Sequence, residues 1–361
     1  MTIAFYISGH GFGHASRSIE VINALVDRQP GARVIIRSEV APWLVARTVR
    51  PGVTLTPVAC DTGVVQIDSL TLDEAATLER ARAFMTTFPA RVDHEVAWLK
   101  SIGATHVVAD LPPLGIAAAH AAGLPAIALG NFTWDWIYAG YAGSDDLVRL
   151  IGEVYGHTTL ALRLPMWGGF ATMPRVVDIP LVARQSSRDP MAVRDALGLP
   201  RDQRLVLASF GGYGVAGLNV AAIRQLPGYR VLLPGDIDET TIYGQGLRYE
   251  DLVHAADVVV TKPGYGIISE CVANHTALLY TSRGHFVEYD VLVDAMPRYL
   301  RTAFIAHADL FSGDWAPHLH AVLAQPPPPE QPATNGADVA ADLILGVTGG
   351  QEVRTGQFLN S

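Results

Sequence analysis

The sequence contains little cysteine. Only Cys60 and Cys271 occur in 361 residues, and each stands in an apolar neighbourhood. Two separated thiols allow neither a disulfide framework nor a zinc site with paired thiolates. We therefore expect a protein of a reducing compartment, for which the cytoplasm is the natural choice.

Uninterrupted hydrophobic runs and clusters of basic residues are also missing. The longest alanine-rich stretch, residues 115–130, is broken by His120, Gly123 and Pro125, and no basic region precedes the first apolar run. We expect neither a signal peptide nor a membrane-spanning helix, although a peripheral membrane contact stays open. With 35 acidic against 26 basic side chains, the net charge of -9 opposes a polyanion, so nucleic acid is not an expected partner.

The chain does contain strand-like and helix-like segments in alternation. Runs such as "RVIIR" and "DVVVT" are rich in β-branched residues and too short for helices. This alternation is typical of βαβ units with parallel sheets, so we predict an α/β protein. The predicted strands cover residues 2–7, 33–37, 54–58, 106–109, 126–129, 205–209, 229–233, 257–260 and 277–280.

Two breaks divide the chain. Residues 174–200 begin with "PRVVDIPLVARQSSRDP", whose prolines and small polar residues favour an extended connection. The stretch "AQPPPPEQP" at 324–332 predicts a surface polyproline segment. A helix near 337–345 is expected to return to the first domain, before a loose tail from Gly349. The predicted divisions are an N-terminal domain at 1–178, a second domain at 179–330 and a C-terminal segment at 331–361.

The stretch "SGHGFGHASRS" follows the first predicted strand. Its glycines let the backbone turn tightly and approach a ligand, while Ser16 or Ser18 can help to start the next helix. A dinucleotide fingerprint would have glycine where His14 stands, which argues against a nicotinamide cofactor. For His14 a general base and a loop hydrogen bond both stay open, and for His10 we favour the loop hydrogen bond.

Asp110 directly follows a predicted buried strand in "HVVAD". In a doubly wound sheet it would lie near the first loop, where its carboxylate could accept a proton from one imidazole nitrogen and leave the other as a base. A helix N-cap is the equal alternative. Further on, "GNFTWDWIYAGY" is dense in aromatic residues, which line sugar sites but also form ordinary cores. Asp135, between Trp134 and Trp136, is the polar residue that we single out there.

Two glycine loops follow strands of the second predicted domain. "LASFGGYGVAG" places Gly211, Gly212 and Gly214 after a strand, a weak signal for a phosphate cradle. "TKPGYGIISE" is sharper, because an ammonium and backbone amides at a helix N-terminus can bind a diphosphate. Glu270, further along that helix, could accept hydrogen bonds from a ribose diol, although a surface pair with Lys262 is an alternative. The diphosphate-binding candidates are Lys262, Gly264, Tyr265, Gly266 and Ile267.

These motifs resemble the GT-B nucleotide-sugar glycosyltransferases, in particular the bacterial peptidoglycan N-acetylglucosaminyltransferase and the plant UDP-sugar transferases. The resemblance covers residues 2–324. It implies two Rossmann-like domains facing across a cleft, with the nucleotide sugar on the second domain and the acceptor on the first. "GLRYEDLVHAAD" resembles the segment whose backbone reads the base. The resemblance assigns Leu247, Arg248 and Tyr249 to the base, Lys262 to Ile267 to the diphosphate, Glu270 to the ribose, Glu288 and Tyr289 to the sugar hydroxyls, and His14 with Asp110 to catalysis.

The N-terminal motifs "SGHGFGHASRS" and "GNFTWDWIYAGY" are also similar to the GT-B-like module of the plant-type L-arabinokinases. Because the sequence has no "GxxxxGK" loop of a kinase half, this resemblance implies a freestanding member of that group. The acceptor-side candidates on these motifs are Gly11, Phe12, Gly13, Asn131, Trp134 and Asp135.

The implied reaction is an inverting transfer of a hexosyl or related sugar from a nucleotide sugar, with a UDP-sugar as first choice. The acceptor would be a small molecule, a lipid-linked compound or a natural product. No metal and no cofactor besides the co-substrate is expected, because amides and a lysine can neutralise the leaving diphosphate. A non-catalytic sugar-nucleotide-binding module and a nucleotide-sugar 2-epimerase remain the alternatives, with a dehydrogenase last.

Overall fold

The β-branched runs form parallel strands and the segments between them form helices, in a computed structural model that describes residues 1–211 and 214–347. The strands are β1 (Thr2–Ile7), β2 (Arg33–Arg37), β3 (Thr54–Thr56), β4 (Val65–Gln66), β5 (Leu72–Asp73), β6 (His106–Asp110), β7 (Ala126–Gly130), β8 (Leu160–Arg163), β9 (Val176–Asp178), β10 (Arg204–Ala208), β11 (Tyr229–Leu232), β12 (Val258–Thr261), β13 (Ala277–Tyr280) and β14 (Thr302–Phe304). The helices are α1 (Phe12–Arg28), α2 (Pro42–Thr48), α3 (Glu74–Thr86), α4 (Phe88–Ser101), α5 (Pro113–Ala121), α6 (Trp134–Ala139), α7 (Asp145–Tyr155), α8 (Pro190–Ala196), α9 (Val220–Arg224), α10 (Glu239–Gly244), α11 (Tyr249–Ala255), α12 (Tyr265–Ala273), α13 (Glu288–Tyr299), α14 (His307–Ser312), α15 (Ala316–Leu323) and α16 (Gly336–Gly346).

The chain divides into two units. Unit 1 comprises Met1–Val64, Glu74–Val182 and the chain from Asn335, and unit 2 comprises Val65–Asp73 and Ala183–Thr334. The predicted N-terminal domain of 1–178 had included the hairpin of β4 and β5, which belongs to unit 2. The reason is packing, since the side chain of Leu70 lies in the apolar core of unit 2 and Ser69 Oγ donates to the Phe210 carbonyl at 2.6 Å.

The sheet of unit 1 has seven parallel strands in the order β3-β2-β1-β6-β7-β8-β9. Residues Ile3 to Tyr6 are fully buried, as expected of a strand covered on both faces. The strand order reverses between β1 and β6, and the carboxyl ends of strands at such a point are where ligands bind in open α/β sheets. There Ile7 pairs with Asp110.

The sheet of unit 2 has five parallel strands in the order β11-β10-β12-β13-β14. Its order reverses between β10 and β12, so the loops after these strands leave the same edge side by side. The hydroxyl of Thr261, the last residue of β12, donates to the Ser209 carbonyl after β10 at 2.5 Å. The segment around Lys262 therefore starts next to the glycine loop that follows β10.

The C-terminal helix α16 packs on α1 within unit 1. Arg28 at the end of α1 donates to Asp338 at 2.7 Å and to Asp342 at 2.6 Å. Gly336 is required where α16 begins, because a Cβ there would lie 2.1 Å from the Pro180 carbonyl oxygen. The tail from Gly349 lies outside the described residues.

No helix within residues 1–211 and 214–347 combines the length and apolar character needed to cross a lipid bilayer.

Candidate functional site

The loop after β1 leads directly into α1. Gly11 precedes the helix with φ of +79°, a left-handed conformation that glycine adopts without strain. The prediction that Ser16 or Ser18 starts the helix is wrong, because α1 begins at Phe12 and both serines are buried within it. The early start places His14 in the first helical turn.

His14 meets Asp110 at the point where the strand order of unit 1 reverses. Nδ1 of His14 lies 2.8 Å from Oδ1 of Asp110. The two come together because Asp110 is the last residue of β6 and pairs with Ile7, the last residue of β1. The alternative that Asp110 caps a helix is wrong, since α5 begins at Pro113 and its N-cap is Pro112.

Asp110 is fully buried and surrounded by donors. Arg17 donates from Nε to Oδ2 at 2.8 Å and from one terminal nitrogen, Nη2, to Oδ1 at 2.5 Å. Ser18 Oγ donates to Oδ2 at 2.7 Å. Burial alone would raise the pKa of Asp110, but the charges and hydrogen bonds of Arg17 and His14 hold it well below its ordinary value, so the carboxylate is ionised.

Asn131 follows β7 and supports this cluster from the other side. Its Oδ1 accepts from the second terminal nitrogen of Arg17, Nη1, at 2.7 Å, and the residue is fully buried. Asn131 was expected on the acceptor side of the site. In this structure its side chain holds Arg17 instead of facing solvent.

The aromatic segment packs around the imidazole of His14. The ring of Phe132 is 5.6 Å from that of His14 in an edge contact, and the ring of Trp134 is stacked at 6.3 Å. Both aromatic residues are less than 5% exposed, Phe132 at 4% and Trp134 at 3%. The two rings therefore pack against the imidazole of His14 and do not form an open surface for a ligand.

Asp135 lies at the start of α6. Its Oδ1 accepts from the Trp136 amide at 2.9 Å, and the residue is 8% exposed. Its carboxylate thus faces the first turn of its own helix. Gly11, Phe12 and Gly13, in contrast, are exposed, and the ring of Phe12 lies 5.8 Å from that of Trp43.

A second imidazole–carboxylate pair lies in the same unit. His10 Nε2 is 3.3 Å from Oδ1 of Asp61, which also accepts from Ser8 Oγ at 3.1 Å. Trp134 Nε1 donates to Oδ2 of Asp61 at 3.1 Å. Burial lowers the pKa of His10, but its hydrogen bond to Asp61 and the charge of that carboxylate outweigh burial and raise it. A small cavity beside Asp61 is lined mainly by Phe84, Pro113, Trp134, Tyr138 and Ile151.

In unit 2, Lys262 lies in the loop between β12 and α12, and Gly264 is the N-cap of that helix. Burial and, to a smaller extent, the positive charge of Arg283 lower the pKa of Lys262 to about 7, against the opposing charge of Glu288. Without a bound anion, this buried lysine loses its proton easily. A bound anionic ligand would stabilise the ammonium form, so the position is well suited to such a ligand.

Glu270 lies buried on α12 and faces Arg184. Arg184 Nε donates to Oε1 of Glu270 at 2.7 Å, and a terminal nitrogen donates to the same oxygen. Within residues 1–211 and 214–347, no hydrogen bond is donated to Oε2. Burial raises the pKa of Glu270 against the opposing charge of Arg184. Only Oε2 is therefore left to accept a hydrogen bond from a ribose, where both oxygens were expected to do so. The alternative of a surface ion pair with Lys262 is wrong, because Glu270 is buried.

The segment expected to read the base forms the start of α11. The Leu247 amide donates to the Ile242 carbonyl at 3.1 Å, and the Arg248 amide donates to Asp251 Oδ2 at 2.8 Å. Tyr249 begins the helix, and its hydroxyl is hydrogen-bonded to Ser209 Oγ at 2.6 Å. Two of the three backbone amides are thus already used within the chain.

The remaining donor-side candidates lie in loops and helix starts that follow strands of unit 2. Glu288 is buried at the start of α13, and the Tyr289 amide donates to the Phe286 carbonyl at 2.8 Å. Gly211 has φ of +77° after β10. Gly212 lies outside the described residues. Tyr265 is buried, whereas Gly264, Gly266 and Ile267 are partly exposed at the head of α12.

Three charged residues of these clusters escaped the sequence reasoning. Arg17 could have been found, because it stands three residues after His14 and residues at this spacing share a helix face. Asp61 carries no local signal, since its partner His10 is 51 residues away. Arg184 lies in the predicted linker, where a connection was expected.

In the part of the chain that the structure describes, no three His, Cys, Asp or Glu side chains are grouped so that they could hold a metal ion.

Comparisons with known proteins place the fold. The scan against protein-family models finds no match. An L-arabinokinase of Arabidopsis thaliana is 31% identical over 361 aligned residues, which cover 95% of this chain and 34% of that protein. The chain thus spans about a third of the length of this curated relative. The predicted arabinokinase likeness is confirmed, and it extends beyond the N-terminal motifs to nearly the whole chain.

Solved structures similar to the chain are glycosyltransferases by name. The kitacinnamycin glycotransferase has a TM-score of 0.60 at 17% identity, covering 95% of this chain and 98% of that one. Phytolacca americana UGT2, complexed with UDP-2-fluoroglucose and pterostilbene, has a TM-score of 0.59 at 12% identity, with 95% and 93% covered. SnogD of Streptomyces nogalater has a TM-score of 0.52 at 17% identity, with 96% and 99% covered. The predicted fold is confirmed: two Rossmann-like units with the GT-B architecture.

Proposed function

We propose that this protein is a glycosyltransferase that moves a sugar from a nucleoside-diphosphate sugar, with UDP as our first choice, to a hydroxyl or other nucleophile of an acceptor. The observation that carries the proposal is the hydrogen bond between His14 and the ionised Asp110, at the switch point of the first sheet of a GT-B fold. This is where the fold supports a general base.

His14 acts in this proposal through Nε2. The carboxylate of Asp110 holds Nδ1 and stabilises the imidazolium that forms when Nε2 takes the proton of the acceptor hydroxyl. The oxygen then attacks the anomeric carbon from the face opposite the diphosphate, so the bond to the diphosphate breaks with inversion. The side chain of His14 is 12% exposed, whereas that of Asp110 is fully buried, so His14 is the member of the pair that an acceptor could contact.

Unit 2 would hold the donor. The ammonium of Lys262 and the amides at the start of α12 neutralise the diphosphate as it leaves, without requiring a metal. The free oxygen of Glu270 would accept from the ribose diol, and Glu288 with Tyr289 would meet the sugar hydroxyls. The bound UDP-2-fluoroglucose of Phytolacca americana UGT2 supports a uridine nucleotide as the first ligand to test.

The acceptor side is proposed from exposure. Gly11, Phe12 and Gly13 are exposed beside His14, so we place the acceptor against this turn. Phe12 and Trp43 would contact an apolar face of the acceptor. Trp134 and Asp135 are buried and would shape the site from behind. A small-molecule, natural-product or lipid-linked acceptor all fit this description.

A non-catalytic nucleotide-sugar-binding module is the second candidate. It is favoured by one observation: the relative at 31% identity is named for a kinase and is about three times the length of the matched region. Such a module would bind the nucleotide but would not turn the donor over.

The test is a thermal-shift screen of UDP, GDP and dTDP, followed by incubation of the stabilising nucleotide's sugars with mixed acceptors. A ligand that binds only the folded state raises Tm. A selective rise with release of free nucleoside diphosphate in the presence of an acceptor supports transfer. A rise without release supports the binding module, and no rise with any nucleotide contradicts both.

A further inference from the structure

The hairpin of β4 and β5 packs in a unit that is distant from it in sequence. It stands between β3 and α3, which belong to unit 1, yet the hairpin itself belongs to unit 2. The Ile67 amide donates to the Thr71 carbonyl at 2.9 Å, and Asp68 Oδ1 accepts from the Leu70 amide at 2.7 Å. An aspartate that accepts from a nearby amide in this way stabilises a turn. The turn therefore has a defined shape where it packs in unit 2.

Ser69 connects this turn to the loop after β10. Its side chain is buried, and Oγ donates to the Phe210 carbonyl at 2.6 Å from 141 residues away in sequence. That carbonyl belongs to the peptide group between Phe210 and Gly211, the glycine with φ of +77°. The serine thus holds the backbone at the point where the chain enters the predicted phosphate loop.

Leu70 connects the same turn to the loop after β13. Its side chain lies in the apolar core of unit 2 together with Val206 and Leu279. A Cβ on Gly284, which has φ of +45°, would lie 3.2 Å from the Leu70 carbonyl oxygen. The loop after β13 therefore passes close to the backbone of the hairpin. Two consecutive residues, Ser69 and Leu70, contact two different loops.

The loop that contains Lys262 lies between these two loops. In the sheet of unit 2, β12 stands between β10 and β13. Neighbouring strands are about 4.8 Å apart, so the two outer loops leave the sheet about 10 Å apart. A turn that contacts both outer loops spans the interval in which the loop of Lys262 begins. The charge of Arg283, the residue before Gly284, acts on Lys262, which agrees with this placement.

We propose that the hairpin of β4 and β5 positions the nucleotide-sugar site, because Ser69 and Leu70 hold the loops after β10 and β13 in one arrangement on either side of Lys262. That the hairpin joins the two loops rests on these contacts alone, whereas its part in donor binding rests on the proposed function. Loops that are already ordered need not be ordered by the ligand, so the hairpin increases affinity without touching the nucleotide.

Hydrogen exchange of the full chain without ligand tests whether the hairpin joins the loops. Ser69→Ala removes the bond to Phe210. Ser144→Ala is the matched control, since Ser144 Oγ is buried in unit 1 and donates to the Tyr138 carbonyl at the same 2.6 Å. We expect Ser69→Ala to raise exchange about two- to tenfold in peptides that contain Gly284 as well as in those that contain Phe210. Faster exchange at Phe210 alone or at neither, or an equal rise in the control, would overturn the proposal.

Gly284→Ala tests the second contact, with Gly228→Ala as its control. Both glycines belong to unit 2 and have positive φ, so each alanine strains the backbone. A Cβ on Gly284 presses on the Leu70 carbonyl, whereas a Cβ on Gly228 would have no described atom within 4 Å apart from those of its chain neighbours. We expect faster exchange in peptides that contain Phe210 for Gly284→Ala only. If Gly228→Ala has the same effect, the cause is a general loss of stability and the proposal is wrong.

Calorimetric titration with UDP and steady-state kinetics provide the functional arm. Ser69→Ala should raise the Kd for UDP by about two- to tenfold, and Ser144→Ala should leave it unchanged. The KM for the nucleotide sugar should rise with kcat nearly unchanged, because His14 and Asp110 lie in unit 1 and keep their contacts. If the parent binds neither UDP, GDP nor dTDP, the proposed function fails, while hydrogen exchange still decides whether the hairpin joins the loops. If the parent binds UDP and Ser69→Ala has the same Kd, the hairpin does not position the site.

Discussion

Arg184 donates two hydrogen bonds to a single oxygen of the buried Glu270 carboxylate, with Nε at 2.7 Å from Oε1, and makes no hydrogen bond to the other oxygen. A second carboxylate lies near the same arginine, with Glu250 Oε2 at 3.8 Å from Arg184 Nη1. The arginine thus orients the carboxylate that we assign to the ribose. This arrangement predicts that a substitution of Glu270 changes nucleotide selectivity, which a loss of folding stability alone would not do.

Glu270→Gln should reduce the discrimination between UDP and 2′-deoxy-UDP. The amide keeps an oxygen for Arg184 but loses the charge, so the bond from the ribose 2′-hydroxyl weakens by about 1.5–3 kcal/mol, or about ten- to a hundred-fold in Kd. Calorimetric titration of both nucleotides with parent and variant measures the effect. If the variant discriminates between them as the parent does, Glu270 does not bind the ribose.

The affinity for nucleoside diphosphate should fall as pH rises above 7. Lys262 has a pKa of about 7 in the free protein, so it is cationic below that pH and neutral above it. The diphosphate favours the cation, so binding at higher pH must take up a proton and weakens by up to about tenfold per pH unit. Titrations between about pH 6 and pH 8.5 in buffers of different ionisation enthalpy report both effects. Lys262→Met should bind weakly with no such slope, and a flat profile in the parent would contradict the role of Lys262.

His14→Ala should abolish transfer and leave nucleotide affinity nearly unchanged. General bases contribute about a hundred- to ten-thousand-fold to rates, and the proposed donor contacts all lie in unit 2. Single-turnover assays and UDP titration separate the two effects. An equal loss of binding and turnover would show that this division between the two units is wrong.

Gly63→Ala should destabilise the protein more than Gly52→Ala. Both glycines have positive φ, +56° and +93°, so each alanine costs about 1–3 kcal/mol of backbone strain. A Cβ at Gly63 would lie 2.4 Å from the His10 ring, whereas a Cβ at Gly52 would have no described atom within 4 Å apart from those of its chain neighbours. Thermal unfolding should therefore give a lower Tm for Gly63→Ala, and NMR should show His10 displaced from Asp61. Equal Tm values would mean that the ring moves aside without cost.

Much of the fold was predictable because parallel strands that are buried on both faces have continuous apolar sequences. The predicted strands at 2–7, 33–37 and 277–280 agree with the structure residue for residue, and the other predicted strands differ by one or two residues at their ends. Three parallel strands were missed, β8, β9 and β14. β9 and β14 are three-residue edge strands, too short for a pattern.

The proposed catalytic pair was predictable for a topological reason, and the charges around it were not. His14 and Asp110 both follow strands, and neighbouring parallel strands bring their carboxyl ends together. Arg184 reaches Glu270 from 86 residues away, and nothing in the local sequence marks that pairing. Burial likewise escapes local reasoning, which is why Trp134 and Asn131 were expected to face a ligand and are instead packed against their own unit.

The return of α16 to α1 has a consequence for the order in which the protein is made. On the ribosome the strands of unit 1 emerge first, but Ala340, Ala341 and Ile344, which are fully buried on α16, are translated only after all of unit 2. The face of α1 that packs against α16 therefore lacks this helix while unit 2 is being synthesised. Unit 1 therefore reaches its final packing last, although its strands are synthesised first.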